Sequence, residues 1–280
     1  MAKIKIACDS SAGLTEEEIQ QYGITIIPLS VMIDDTVYVE RETITNDQFP
    51  EMMRQAKSLP KTSQPPIGKF VDAFDELGAD GSEVLCVTMM ASISGTVHAA
   101  EQAAQMTKTK VTVVDCQTTD RAMAFQIVEA AKVIEAGGTV EEAVAKMAQV
   151  RDHTKLYLAI DNLDNLVAGG RINKFAGTLS SLLNIKLMLQ VYGGQIHVAM
   201  KGRGIKAIHK EWGKILDQMK GTKVKAIGIS HVQADKEVAR LKEQLTSLFP
   251  NIQIVVRETV PIIATHTGLG ACCLLYYTED

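Results

Sequence analysis

The sequence is poor in several things that usually announce a function. One tryptophan stands among 280 residues, aromatic side chains make up only 5%, and the five cysteines at positions 8, 86, 116, 272 and 273 form an odd set. Their spacing matches neither a zinc site nor a disulfide framework, so buried free thiols in a reducing compartment are expected. The six histidines include no cluster with Cys or Asp at metal-ligand spacing, and no metal is expected. No stretch approaches the ~18 consecutive apolar residues of a membrane span. The apolar run at the N-terminus is far too short for a signal peptide and reads as a first strand, which makes a cytoplasmic location the expectation. There are no polybasic runs, and the net charge of −4 argues against nucleic acid or an anionic membrane as the main partner. Gly193-Gly194 and Gly202-x-Gly204 do not fit the phosphate-loop motifs that follow a strand, so intrinsic ATP binding is unsupported. A Gly-x-Ser-x-Gly nucleophile elbow is also absent.

What is present is a folded composition, 46% hydrophobic and 22% charged, in a chain long enough for two ordinary domains. Up to about residue 152, short apolar strands (3–7, 24–29, 83–88, 110–114) alternate with amphipathic helices (from Thr15, 45–57, 67–77, 95–106, 121–135, 139–152). Val31–Ile33 and Val37–Val39 form a small hairpin across Asp34-Asp35. That alternation predicts a parallel sheet covered on both faces, an α/β/α sandwich over residues 1–155, with ligands bound beyond the carboxyl ends of its strands. From 156 to 280 the pattern changes. Strand 156–160, a short helix 163–168, and strands 185–192 and 195–200 around Gly193-Gly194 are followed by helix 205–219, strand 223–230, helix 236–245 and strand 251–257. An apolar final helix is expected after Gly270. This predicts a second α/β domain with a mixed or antiparallel sheet. The boundary is soft and admits exchange of segments between the two domains.

Five runs could carry chemistry. In Lys61-Thr62-Ser63-Gln64-Pro65-Pro66 the prolines stiffen a loop, so Thr62 and Ser63 either cap the next helix or aim a hydroxyl into a cavity. Ser92-Ile93-Ser94-Gly95-Thr96 lies between a strand and a helix. Gly95 permits close backbone approach and the helix start favours an anion, yet the same run makes an ordinary cap. Arg171, after Gly169-Gly170, and Arg203, after Lys201-Gly202, are either solvated surface arginines or clamps for an oxyanion or a protein partner. His266, in Thr265-His266-Thr267-Gly268, is the best placed histidine, at an expected helix start whose dipole favours neutral imidazole. Twelve methionines can be core filling, or an adaptable wall for a flexible chain; Met89 and Met90 adjoin the serine loop.

At these residues the chain resembles the DegV family, the fatty-acid-binding subunit type that serves bacterial fatty acid kinase. The resemblance runs end to end. It rests on Asp9-Ser10-Ser11, Thr62-Ser63-Gln64-Pro65, Ser92-x-Ser94-Gly95-Thr96, Gly169-Gly170-Arg171-Ile172, Lys201-x-Arg203 and His266-Thr267-Gly268-x-Gly270. It implies two α/β domains with a long-chain fatty acid (palmitate, stearate or oleate) buried between them, and no cofactor. Thr62, Ser94 and Gly95 would hold the carboxylate, and His266 would join their hydrogen bonds. Arg171 and Arg203 would sense occupancy or face an ATP-dependent fatty acid kinase subunit. The chain would then be a non-catalytic carrier of the acyl phosphate, with transient membrane contact for acyl exchange. A serine-dependent acyl hydrolase using Ser94 and His266, or a lipid store or sensor without a kinase, are the alternatives. Two departures from the family pattern stand out: Leu269 where proline is frequent, and Cys116 where serine is common.

Overall fold

The structure, a computed structural model, describes residues 3–161, 163–171 and 185–279. The chain opens on β1 (Ile4–Asp9), and α1 (Glu16–Tyr22) returns it to β2 (Thr25–Ile27) alongside. Thr15 and Glu18 close a reciprocal capping box, and Glu16 to Glu18 sit at the positive end of the helix dipole. Pro28 breaks the expected 24–29 strand, because it has no N–H to give to a ladder. Beyond it β3 (Ser30–Ile33) and β4 (Thr36–Val39) form the expected hairpin, with Asp34 and Asp35 at φ 44° and 66° as a two-residue turn requires. The expected 45–57 helix shrinks to α2 (Phe49–Gln55), with Pro50 in its first turn. Lys61–Ser63 is not a helix cap: it is a strand, β5, paired antiparallel with β3.

The series continues as α3 (Ile67–Gly78), β6 (Glu83–Thr88), α4 (Thr96–Met106), β7 (Val111–Asp115), α5 (Asp120–Glu135) and α6 (Val140–Asp152). Strands β2-β1-β6-β7 form a wholly parallel sheet. Side chains alternate across it. Ile6, Cys8, Leu85 and Val87 pack under Met123, Ile127 and Met147, whereas Ala7, Val84 and Cys86 pack under Phe70, Phe74 and Ala100. Both faces are thus dry, which is why these strands read as unbroken apolar runs.

The rest comprises β8 (Thr154–Ile160), α7 (Asp164–Ala168), β9 (Ile185–Tyr192), β10 (Gln195–Arg203), α8 (Ile205–Met219), β11 (Lys223–His231), α9 (Asp235–Leu248), β12 (Ile254–Glu258), α10 (Pro261–Thr267) and β13 (Cys272–Glu279). Six strands form a mixed sheet in the order β10-β9-β8-β13-β11-β12, parallel only between β11 and β12. The C-terminal helix expected from the sequence is absent. In its place β13 runs antiparallel between β8 and β11. Its Cys272, Leu274 and Tyr276 face Trp212 and Leu241, while Cys273 and Leu275 face Phe125 and Leu156. A strand buried on both sides shows no period, so periodicity could not separate it from a helix.

The molecule is a two-domain mixed α/β fold. Its halves share one core cluster: Leu29, Val31, Phe49 and Met89 pack with Val232, Val260, Ile262 and Ala264. Buried polar groups cross the same seam. The Ser10 hydroxyl accepts from the Leu29 amide and donates to the Glu40 carboxyl, whose other oxygen accepts from the Ile262 amide in the first turn of α10. Asp120 accepts from the Ser230 hydroxyl at 2.7 Å and from the Thr259 hydroxyl at 2.5 Å.

Burial pushes the Glu40 carboxyl up to about 8, against the help of its two hydrogen bonds. Between its ordinary value of 4.5 and about 8, the folded state holds a proton that the unfolded chain has released. Stability attributable to this group therefore falls as pH rises through that window. Glu40→Gln, which cannot lose the proton, is expected to flatten that fall in thermal melts across the window; parallel pH profiles for the two proteins would contradict it.

Candidate functional site

Between the carboxyl ends of the parallel sheet and the inner face of the mixed sheet lies a cavity of about 340 Å³, within the usual range for small-molecule sites. The register of the mixed sheet builds one wall. Ser230 of β11 lies opposite Cys273 of β13, Cys273 opposite Leu158 of β8, and Leu158 opposite Leu189 of β9; all four line the cavity. Leu29, Met89, Met90 and Ile93 line it from the other domain. Both methionines singled out in the sequence are therefore wall residues.

One corner of this apolar space is polar. Thr62 Oγ1 lies 2.9 Å from His266 Nε2. The Ser94 hydroxyl is 2.7 Å from the Thr96 hydroxyl and accepts from the Thr96 amide at 3.3 Å. Gly95 presses on Gln64 so closely that a Cβ there would meet Oε1 at 2.4 Å, which ties the serine loop to the end of β5. Arg171 is exposed at the edge of the corner, and donates from Nε to the Ile93 carbonyl and from Nη1 to the Gly169 carbonyl. Ile172, the next residue of that run, lies outside the described residues.

Two carboxylates aim the serine loop. Asp9, at the end of β1, accepts from the Met89 amide at 2.7 Å and from the Ser11 amide at 2.9 Å. Asp115, at the end of β7, accepts from Ala91 and Gln117. The loop leaves β6 between these two strands, where the strand order of the sheet reverses direction, the usual place for a ligand in an open α/β sheet.

His266 departs from its expected place. It lies in the last turn of α10, not at a helix start, so the dipole there would favour the charged ring. Burial and then the Arg171 charge nevertheless push it down to about 4. Its Nδ1 is buried without a hydrogen-bond partner among the described residues. Gly169 explains the close fit: a Cβ there would lie 2.2 Å from Nδ1. The Gly-Gly-Arg run thus serves the histidine as well as the arginine, a contact that no local pattern reveals.

Other candidates fall elsewhere. Arg203 ends β10 as an exposed side chain and does not line the cavity. Cys116 is core, its thiol donating to the Thr118 carbonyl, and Leu269 packs against the shared cluster. All five cysteines are free and buried. The absence of metal spacing in the sequence needs one qualification. His231, Asp235 and Glu258, from β11, α9 and β12, bring ligand atoms within 4.8 Å of one another. Residues so far apart in the chain show no spacing.

A family model described as an uncharacterised protein of the DegV family matches residues 3–279. The chain belongs to the DegV family. A DegV domain-containing protein of Streptococcus pneumoniae is 42% identical over 275 residues, 98% of each chain. A solved structure described as DegV, a fatty acid binding protein from Bacillus subtilis, superposes with a TM-score of 0.91 at 27% identity, covering 100% of both chains. A DegV family protein from Thermus thermophilus, described by its fatty acid binding, gives 0.89 at 28% identity over 99% of this chain and 100% of that one.

Gly169→Ala must displace the His266 ring or the backbone, and an overpacked site of this kind costs on the order of 1–3 kcal/mol. Urea denaturation checks the cost. In NMR titration of the wild type the His266 ring is expected to change charge near 4. Titration of that ring near 6.5 would contradict the environment described.

Proposed function

We propose that this DegV family chain binds a long-chain fatty acid such as palmitate, stearate or oleate in the cavity. Thr62 and Ser94 hold the carboxylate, Gly95 gives it room against the backbone, and His266 supports the Thr62 hydroxyl. The observation that carries this is the pairing of a hydroxyl-rich corner with walls that are mostly apolar. Neutral His266 can donate from Nε2 to Thr62 Oγ1, which leaves the Thr62 hydroxyl proton free for an acceptor in the cavity. Arg171, exposed and lining the cavity at its rim, adds positive charge there. The fatty acid binding described for the Bacillus subtilis and Thermus thermophilus proteins supports the same ligand class.

The energetics divide the work. Burying ~14 methylenes at ~0.8 kcal/mol each gives on the order of 11 kcal/mol gross, from which association and ordering costs take a large share. An unpartnered carboxylate in an apolar cavity would cost several kcal/mol. The hydroxyls offset that cost and fix the register of the chain. An acyl hydrolase is the weaker reading, because His266 partners Thr62 while Ser94 partners Thr96.

The wider role we infer is that of a non-catalytic subunit acting in the cytoplasm. It presents the carboxylate to an ATP-dependent fatty acid kinase, then carries the acyl phosphate and exchanges acyl chains in transient contact with a membrane. Arg171 at the cavity rim and Arg203 on the surface are the side chains we assign to kinase docking or occupancy sensing. No helix among the described residues is long and apolar enough to cross a membrane. We also place the domain division near residue 155, with residues 1–155 and 156–280 as the two halves and a soft boundary that admits exchange of segments.

Denaturing extraction followed by mass spectrometry should release a long-chain fatty acid. Ser94→Ala and Thr62→Val should each weaken fatty acid binding by roughly tenfold, the value of one charge-assisted hydrogen bond, with the fold intact by circular dichroism. An empty protein that takes up neither oleate nor palmitate would overturn the proposal. Arg203→Ala should bind fatty acid normally but lose phosphorylation of it by added kinase and ATP; unchanged turnover would remove Arg203 from docking.

A further inference from the structure

A fatty acid needs one polar corner in its cavity, and this cavity has a second polar patch. Where β11 meets the start of α5, the wall changes from Leu189, Leu158 and Cys273 to Ser230, and beside Ser230 stand Thr119, Asp120 and Thr259. Leu189 and Ser230 are three strands apart, about 14 Å at the usual strand spacing, so the polarity changes across one continuous wall. The patch is built from buried groups: Ser230 is 2% exposed, Thr259 4% and Asp120 5%.

Three donors already satisfy Asp120: the hydroxyls of Ser230 and Thr259 and the Arg121 amide. Ser230 spends its proton on Asp120 and keeps lone pairs to accept with. The Thr119 hydroxyl is unlike the others. It precedes α5 without capping it, and its Oγ1 is buried with no hydrogen-bond partner among the described residues. A buried hydroxyl without a partner is costly, and one in the wall of a binding cavity is a vacant donor and acceptor for a ligand atom. A second carboxylate is the wrong occupant, since it would face Asp120. A neutral hydroxyl is the right one, because it can donate to Ser230 or Thr119 and accept from Thr119.

We propose that this patch is a second polar subsite, recognising a hydroxyl carried along the acyl chain, so that the ligands of the cavity include hydroxylated long-chain fatty acids. The inference rests on the fatty acid reading above and deepens it.

The test is displacement of a fluorescent polyene fatty acid from the full chain. The competitors are stearate and a series of hydroxystearates with the hydroxyl at successive carbons from mid-chain to the methyl end. At least one isomer should bind as tightly as stearate or up to roughly tenfold tighter, although its hydroxyl makes it the more water-soluble competitor. Thr119→Val removes a hydroxyl that holds nothing in the fold, so it should match or exceed the wild-type melting temperature while losing that isomer's advantage and keeping stearate affinity. Ser230→Ala should likewise lose that isomer's advantage, but at a lower melting temperature, because its hydroxyl also holds buried Asp120. Stearate binding with every hydroxystearate more than tenfold weaker, or an isomer preference that survives Thr119→Val, overturns the subsite alone. Failure of all the acids to displace the reporter overturns the fatty acid reading and the subsite together.

Discussion

Everything at the polar corner hangs on two residues at the carboxyl end of the first strand, Asp9 and Ser10. The Asp9 carboxylate takes the Met89 amide and so aims the loop that carries Ser94. The Ser10 hydroxyl takes the Leu29 amide, which fixes the start of the β3 segment on which β5 and Thr62 are paired. The same hydroxyl reaches Glu40, and Glu40 holds the first turn of α10, whose last turn carries His266. Three chain segments more than 30 residues apart are thus referred to a single turn. These bonds are buried, where leaving a partner unsatisfied costs more than the bond itself contributes, so the arrangement is specified tightly.

The seam between the halves is held by polar groups as well as by packing. Ser10 and Glu40 cross it at one place, and Asp120 with Ser230 and Thr259 crosses it at another. The shared apolar cluster lies with them, combining β3 and α2 with Val232, Val260 and α10. A cavity placed at such a seam can be deep and dry without piercing either sheet. That suits a long apolar ligand better than a pocket within one domain, where the volume would have to be taken out of a close-packed core.

Much of this was legible in the sequence and some of it was not, for identifiable reasons. Alternating strands and helices gave the parallel sheet, and Asp34-Asp35 and Gly193-Gly194 gave two hairpins through turn chemistry alone. The runs around Thr62, Ser94 and His266 were visible as unusual punctuation, and the structure brings all three to one cavity corner. The end of the chain defeats a reading by period, because Cys272 to Tyr276 is apolar on both faces. His266 sits at the end of a helix and not at its start, since Pro261 opens α10 five residues earlier and Gly268 follows its end. Gly169 against His266, Gln64 against Gly95 and the reach of Ser10 to Glu40 are tertiary contacts between distant segments, and no local pattern encodes them.

The charges around the cavity fix which way a fatty acid would lie in it. A carboxylate and an acyl chain could in principle enter in either sense, because the hydrophobic term is non-directional. The corner with Thr62 and Ser94 has the Arg171 guanidinium at its rim and a histidine held neutral, whereas the second polar patch has Asp120 engaged by three donors. At the first end an ionised head group meets donors and positive potential. At the second it would meet a like charge in a setting where Coulomb terms are poorly screened. The reversed ligand is disfavoured by repulsion as well as by the loss of hydrogen bonds. On the proposed reading the acyl chain would need only to fit the walls, its direction being set by a few charged and polar groups.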